Sequence, residues 1–272
     1  MLKLIKSSIY KLVRDWTFRI TLIVGAALAL LMALIYLGID CIGGKECIGE
    51  MCNGYMFYTS SLSPTQNFGL TVPINLIVFT IGEFTCGTIR NKIIAGNKKT
   101  LIYISLVITG IIFTIALMAI YFGLTVAFGS IIGGFKGKNP NIEVKLLYQY
   151  PIIGLTTYIF IVAFAIFVAT SIRNLGGAMP IVIITIVFLY FLAFVPSIQA
   201  ILSSFGDEIV EPKLVQAYLN PLYGFGNLGI TGVGAGSALN AKQFTGAIVT
   251  PIYWAAIFVV LGIVVFNKKD VK

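Results

Sequence analysis

Between Glu83 and Thr100 an otherwise apolar chain turns polar. The stretch reads Glu83-Phe84-Thr85-Cys86-Gly87-Thr88-Ile89-Arg90-Asn91-Lys92-Ile93-Ile94-Ala95-Gly96-Asn97-Lys98-Lys99-Thr100, with one acid, four bases and two glycines. These residue types suit binding rather than covalent chemistry, because the chain holds no histidine to act as a base for a hydroxyl or thiol nucleophile. Ile89, Ile93 and Ile94 recur at helical spacing, so a short amphipathic helix is expected over Thr88 to Ile94. Gly87 loosens its start and Gly96-Asn97 ends it. A polar helix of this kind between two apolar runs is suited to docking a soluble partner.

Other chemistry is sparse. The lack of histidine also removes histidine metal sites, and no metal site is expected. Cys41, Cys47 and Cys52 fall close together and Cys86 stands alone, with no C-x-x-C spacing. The three clustered thiols can close at most one disulfide within their loop, or remain free. No G-x-x-x-x-G-K-[ST] loop occurs, so this chain does not bind ATP through that motif. The apolar runs carry essentially no ionisable side chain, which weighs against proton- or sodium-coupled transport.

The elements that must position the polar stretch are membrane spans. Only 11% of the 272 residues are charged and 58% are hydrophobic, with mean hydropathy +0.97. A soluble domain carries about 25% charge, so an all-α integral membrane protein is expected, as a single transmembrane domain. Residues 1–16 place Leu2, Ile5, Ile9, Leu12, Val13 and Trp16 at helical spacing, with Lys3, Lys6, Ser7 and Arg14 opposite. This is a basic amphipathic helix suited to the membrane interface. Six spans are expected at about 18–39, 68–84, 101–129, 151–172, 176–198 and 248–266. Pro73 inside the second frees a carbonyl that Asn75 could satisfy, which would kink it. Gly129 and Gly133 would allow a close helix contact. The long segment 199–247 is too broken for a span and is expected to dip into the outer leaflet in short helices.

With the N-terminus inside, 13 of the 19 bases fall in inner segments, while seven of the ten acids fall outside. The expected topology is therefore multi-pass in the cell membrane, with both termini cytoplasmic. The net charge of +9 belongs to these inner loops. No basic-aromatic stripe marks a nucleic-acid surface.

The order Glu83, Gly87-Thr88-Ile89-Arg90, Ile93-Ile94, Gly96, Lys98-Lys99 resembles the segment between spans 2 and 3 of type-2 ABC exporter permeases, in particular those for antimicrobial peptides. An ordinary basic loop would explain the bases, but not this order of acid, Gly-Thr and base. The likeness extends to the interfacial helix, the six spans and the tight turn Arg173-Asn174-Leu175-Gly176-Gly177. It also covers Tyr218-Leu219-Asn220-Pro221-Leu222-Tyr223 before the last span. The three-cysteine loop is not part of it.

The resemblance implies that residues 83–100 form a coupling helix seated in an ATPase subunit, with Glu83, Gly87, Thr88, Arg90, Lys92, Asn97, Lys98 and Lys99 as its coupling residues. It implies a complex of two ATPases, which bind ATP and magnesium, with a second permease that is a copy or a relative. The cargo would be amphipathic: a peptide, a drug or a lipid-like molecule. Glu83 is expected to pair with a base of the interfacial helix or of its own loop. Three other readings stand beside this one: an energy-coupling-factor subunit, whose Ala-Arg-Gly motifs are missing; an ATP-independent channel or carrier; and an intramembrane enzyme, for which no catalytic set is found.

Overall fold

The computed structural model describes residues 2–42, 53–61, 69–135, 144–194, 220–222 and 241–269, and among them every regular element is an α-helix. We number these α1 (Leu2–Arg14), α2 (Trp16–Ile42), α3 (Gly54–Ser61), α4 (Thr71–Thr85), α5 (Thr88–Ile94), α6 (Lys99–Gly133), α7 (Val144–Ile172), α8 (Leu175–Phe194) and α9 (Ala241–Lys268). Four of them, α2, α6, α7 and α9, are long and apolar enough to cross a membrane. Helices α4 and α5 qualify only as a pair bent by 56°, and the apolar part of α8, Leu175–Phe191, is shorter.

Helix α7 is the centre. It packs along α9 over its longest contact and also meets α4, α6 and α8. Tyr158, Phe160, Ile161, Val162, Ala163, Phe164, Ala165 and Ile166 are all buried, so the helix is enclosed on every side over this stretch. A helix apolar all round belongs in such a position. Helices α2 and α9 lie at the rim and expose long apolar surfaces, including Ile23, Leu34, Val260 and Val264. In water that surface would be costly; in lipid it meets its own kind.

The helices begin and end differently from the sequence reading in ways that have local causes. Asp15 separates α1 from α2 and accepts the Thr17 N–H at 3.1 Å, the pattern of an N-cap. Pro73 falls in the first turn of α4, where a missing N–H has no intrahelical partner to lose, so the expected kink has no cause. Asn75 serves another purpose. Its Nδ2 donates to the Thr71 carbonyl at 2.8 Å, and its Oδ1 accepts from Thr21 Oγ1 at 2.8 Å, tying α4 to α2. Pro151 does not start a helix, since α7 runs through it from Val144; Pro180 and Pro251 likewise lie inside α8 and α9. Packed membrane helices tolerate this because neighbours satisfy the freed groups.

At the end of the bundle where α6 finishes, the expected loop 40–67 contains helix α3. Its start pairs with the end of α6 through backbone bonds, Gly54 N–H to Gly134 O at 3.1 Å and Tyr55 N–H to Phe135 O at 2.9 Å. The expected close contact at Gly129 is made with α3: a Cβ there would lie 2.3 Å from the Phe57 ring. Tyr58 donates its hydroxyl proton to the Leu147 carbonyl of α7. Cys47 and Cys52 lie outside the described residues, and so does the disulfide expected of them with Cys41. Of segment 199–247, only residues 220–222 and those from 241 are described. Asn220 Nδ2 donates to the Leu189 carbonyl of α8 at 3.0 Å.

Candidate functional site

Helix α4 ends at Thr85 because the chain turns through Cys86 and Gly87. Gly87 has φ +66°, a left-handed conformation that glycine adopts without Cβ strain. The Cys86 and Gly87 amides close the turn on Gly82 O at 2.9 Å and Phe84 O at 3.0 Å. Helix α5 then leaves at an angle and stops in a motif legible from Gly96-Asn97. Gly96, at φ +82°, donates its N–H to Ile93 O at 2.9 Å, and Asn97 N–H reaches Lys92 O at 3.3 Å. This is the Schellman arrangement. Asn97 reinforces it by donating its side-chain Nδ2 to the same Lys92 carbonyl at 2.9 Å.

The centre of the site is Glu83, with 1% of its surface exposed. Its Oε2 accepts from Lys92 Nζ at 2.8 Å, and Lys92 also donates to Ser8 Oγ at 3.0 Å. Its Oε1 lies 2.8 Å from Lys11 Nζ. That second contact is one of charge alone, since Oε1 accepts no hydrogen bond. Lys11 directs its hydrogen bond to Thr88 Oγ1 instead, at 2.8 Å. Glu83 therefore meets one base from α1 and one from its own loop. Taking a carboxylate out of water costs several kcal/mol unless opposite charge replaces the hydration. Two ammonium groups supply it here, with one positive charge left over. The result is a knot joining α1, α4 and α5.

Helix α5 consequently has two sides. Ile89 and Lys92 are buried against the knot and Ile93 is half-buried, while Arg90, Asn91 and Ile94 are exposed and share one face. Lys92, grouped by the sequence with partner contacts, turns inward, and Thr88 is occupied by Lys11. The outward face belongs to Arg90, Asn91, Ile94 and, beyond the turn, Lys98.

The neighbouring helix ends are drawn to the same place. Lys99 Nζ donates to the carbonyls of Asn267 at 3.2 Å and Lys269 at 3.1 Å, where α9 leaves its last carbonyls without intrahelical partners. Lys269 donates to the Ser171 carbonyl at the end of α7, and Asn267 Nδ2 to Thr100 Oγ1 at 3.2 Å. Arg173, at φ +56° in the turn between α7 and α8, sets its guanidinium 4.9 Å from the Phe84 ring centre. Ser8, Lys11 and Arg173 are the participants that sequence reasoning missed. Lys11 had a signal: with Leu4, Ser8 and Leu12 at four-residue spacing, it borders the side of α1 that is buried.

No model of a known protein family matches the chain, and no curated protein matches it at a significant level.

Proposed function

We propose that this chain is the membrane permease of an ATP-driven exporter of the type-2 ABC kind, with α5 as the helix that docks on a separate ATPase. The observation that carries the reading is the division of α5. Its inner side is fixed to two other helices through a buried carboxylate, and its outer side, Arg90, Asn91 and Ile94, stands clear. A push on that face would be passed to α1 and α4 together. A loop that only carried charge would need neither the buried acid nor the left-handed hinge.

In this reading α2, α4, α6, α7, α8 and α9 are the six spans, and the Glu83 end is cytoplasmic with both termini. The protein sits in the cell membrane as one of two permeases, a pair of identical or related chains. Two ATPase subunits bind ATP and magnesium and close on each other. The α5 helices follow, and the spans around the shared cavity alternate between inward and outward access. An apolar lining suits an amphipathic peptide, drug or lipid-like cargo.

The test is purification of tagged protein from its native membrane in mild detergent, beside a variant with Arg90→Ala and Ile94→Ala. An ATPase that accompanies the parent, hydrolyses ATP and is lost from the variant supports the reading. Recovery of the parent alone, with transport after reconstitution alone, would favour an ATP-independent carrier.

A further inference from the structure

Helix α1 has two apolar sides and the knot occupies only one. At 100° per residue, Leu4, Ser8 and Leu12 share an arc, and all three are buried against the protein. The next arc holds Ile5, Ile9 and Val13, and Trp16, the first residue of α2, follows just beyond the end of the helix. Ile5 and Ile9 are half-buried, while Val13 is 52% and Trp16 71% exposed. Lys6, Tyr10 and Arg14 follow round the helix and all are exposed. The open apolar arc is thus bounded by protein on one side and by bases on the other. The acid nearest to it, Asp15, is engaged as the cap of α2.

We infer that this arc is a docking surface for the anionic phospholipids of the inner leaflet, and that its seating sets the angle of α5. The apolar side chains would enter the acyl boundary. Lys6 and Arg14 would lie at the level of the phosphates, and Tyr10 at the waterline. Basic residues beside an amphipathic helix favour an anionic over a neutral leaflet. Transmission to α5 needs no further contact, because Lys11 and Ser8, on the protein-facing side of the same helix, hold Glu83, Lys92 and Thr88. A change in the tilt of α1 must move the knot or break it. The inference rests on the reading of α5 as a cytoplasmic docking helix, but its test requires no ATPase.

The full chain would be placed in lipid nanodiscs of phosphatidylcholine alone, or of phosphatidylcholine and phosphatidylglycerol in equal parts. Trp254→Phe leaves Trp16, at the junction of α1 and α2, as the reporter, read by quenching from lipids brominated near the headgroup. Cys41, Cys47 and Cys52 changed to serine leave the exposed Cys86, at the hinge of α5, for a spin label. In the anionic discs roughly twofold stronger Trp16 quenching is expected, together with a changed mobility of the Cys86 label. Lys6→Gln with Arg14→Gln should abolish both responses. Glu83→Gln should preserve the Trp16 response and abolish that of the label. Equal quenching in the two lipids overturns the docking surface. A Trp16 response without a label response in the parent overturns the transmission. Failure to recover an ATPase bears on the permease reading and leaves both of these results standing.

Discussion

The two ends of this bundle are joined by opposite means. At the Glu83 end, charges join the helices: a buried carboxylate between two ammonium groups ties α1, α4 and α5, Lys99 of α6 sits on the last carbonyls of α9, and Arg173 of the α7–α8 turn lies over Phe84 of α4. At the α3 end no charge pair is involved among the described residues, and shape acts beside neutral hydrogen bonds to Gly134, Phe135 and Leu147. Gly129 admits the Phe57 ring, Tyr36 and Phe57 meet edge-on with centroids 5.4 Å apart, and Tyr58 and Phe122 do so at 5.2 Å. Steric contacts of this kind are lost within an ångström of displacement, whereas charges attract over several. A junction that must move under load and re-form is better built from the second. Under the proposed permease reading, the comparison favours the Glu83 end as the moving part and the α3 end as the fixed one.

The largest effect is expected where a charge would be stranded. Glu83→Ala leaves Lys92 buried without its counter-ion, which should cost about 3–5 kcal/mol and appear as a large fall in the melting temperature in detergent. Adding Lys92→Met and Lys11→Met should restore much of that stability, because an apolar trio removes the stranded charge. The parent's label mobility at Cys86 should not be recovered in the triple variant. If it returns, the charges are packing only and the contrast between the ends fails.

Gly129→Val tests the opposite end. The added atoms would overlap the Phe57 ring and crowd the Asn53 carbonyl, whose oxygen is 2.9 Å from a Cβ. A loss of about 1–3 kcal/mol is expected from overpacking. Proteolysis near α3 should quicken while the mobility of a label at Cys86, at the Glu83 end, stays unchanged.

Gly87→Ala imposes a Cβ on a residue at φ +66°, where nothing else lies within 4 Å of it. The cost is conformational only, about 1–2 kcal/mol. Its signature should be altered mobility of a label at Cys86 with little change in overall melting.

The smallest effect should come from Arg173→Gln, which removes the guanidinium from Phe84. About 0.5–1 kcal/mol is expected for a partly exposed pair. Because the contact spans the α7–α8 turn and the end of α4, in the proposed permease a measurable loss of transport at near-normal stability would extend the moving region to α8. No loss would confine it to α1, α4 and α5.

Much of this was legible beforehand. Apolar runs of span length place α2, α6, α7 and α9, because an extended run without charge has few alternatives to crossing a membrane. Gly87 and Gly96 placed the limits of α5, since left-handed turns select glycine. The prolines misled. Pro151 reads as a helix start and Pro73 as a kink, yet one lies within a helix and the other in a first turn. Local preference yields to neighbours that satisfy the backbone. Helix α3 was invisible because its eight residues lack a span's length and an obvious period; its docking on α6 makes it a helix.

By itself, then, the sequence determined composition, the long helices and the hinge residues, all of which follow from properties of adjacent residues. Only the tertiary structure decided which charge meets which. Lys11 and Lys92 stand 72 and nine positions from Glu83; local pattern sets Lys11 beside the buried side of α1 but assigns neither base its partner. Their selection follows from where α1 packs on α6 and how far α5 bends, and that turned Lys92 from an outward contact into half of a buried pair. The reason is physical: charge pairing depends on distance in space, and distance in space is set by the packing of the whole chain.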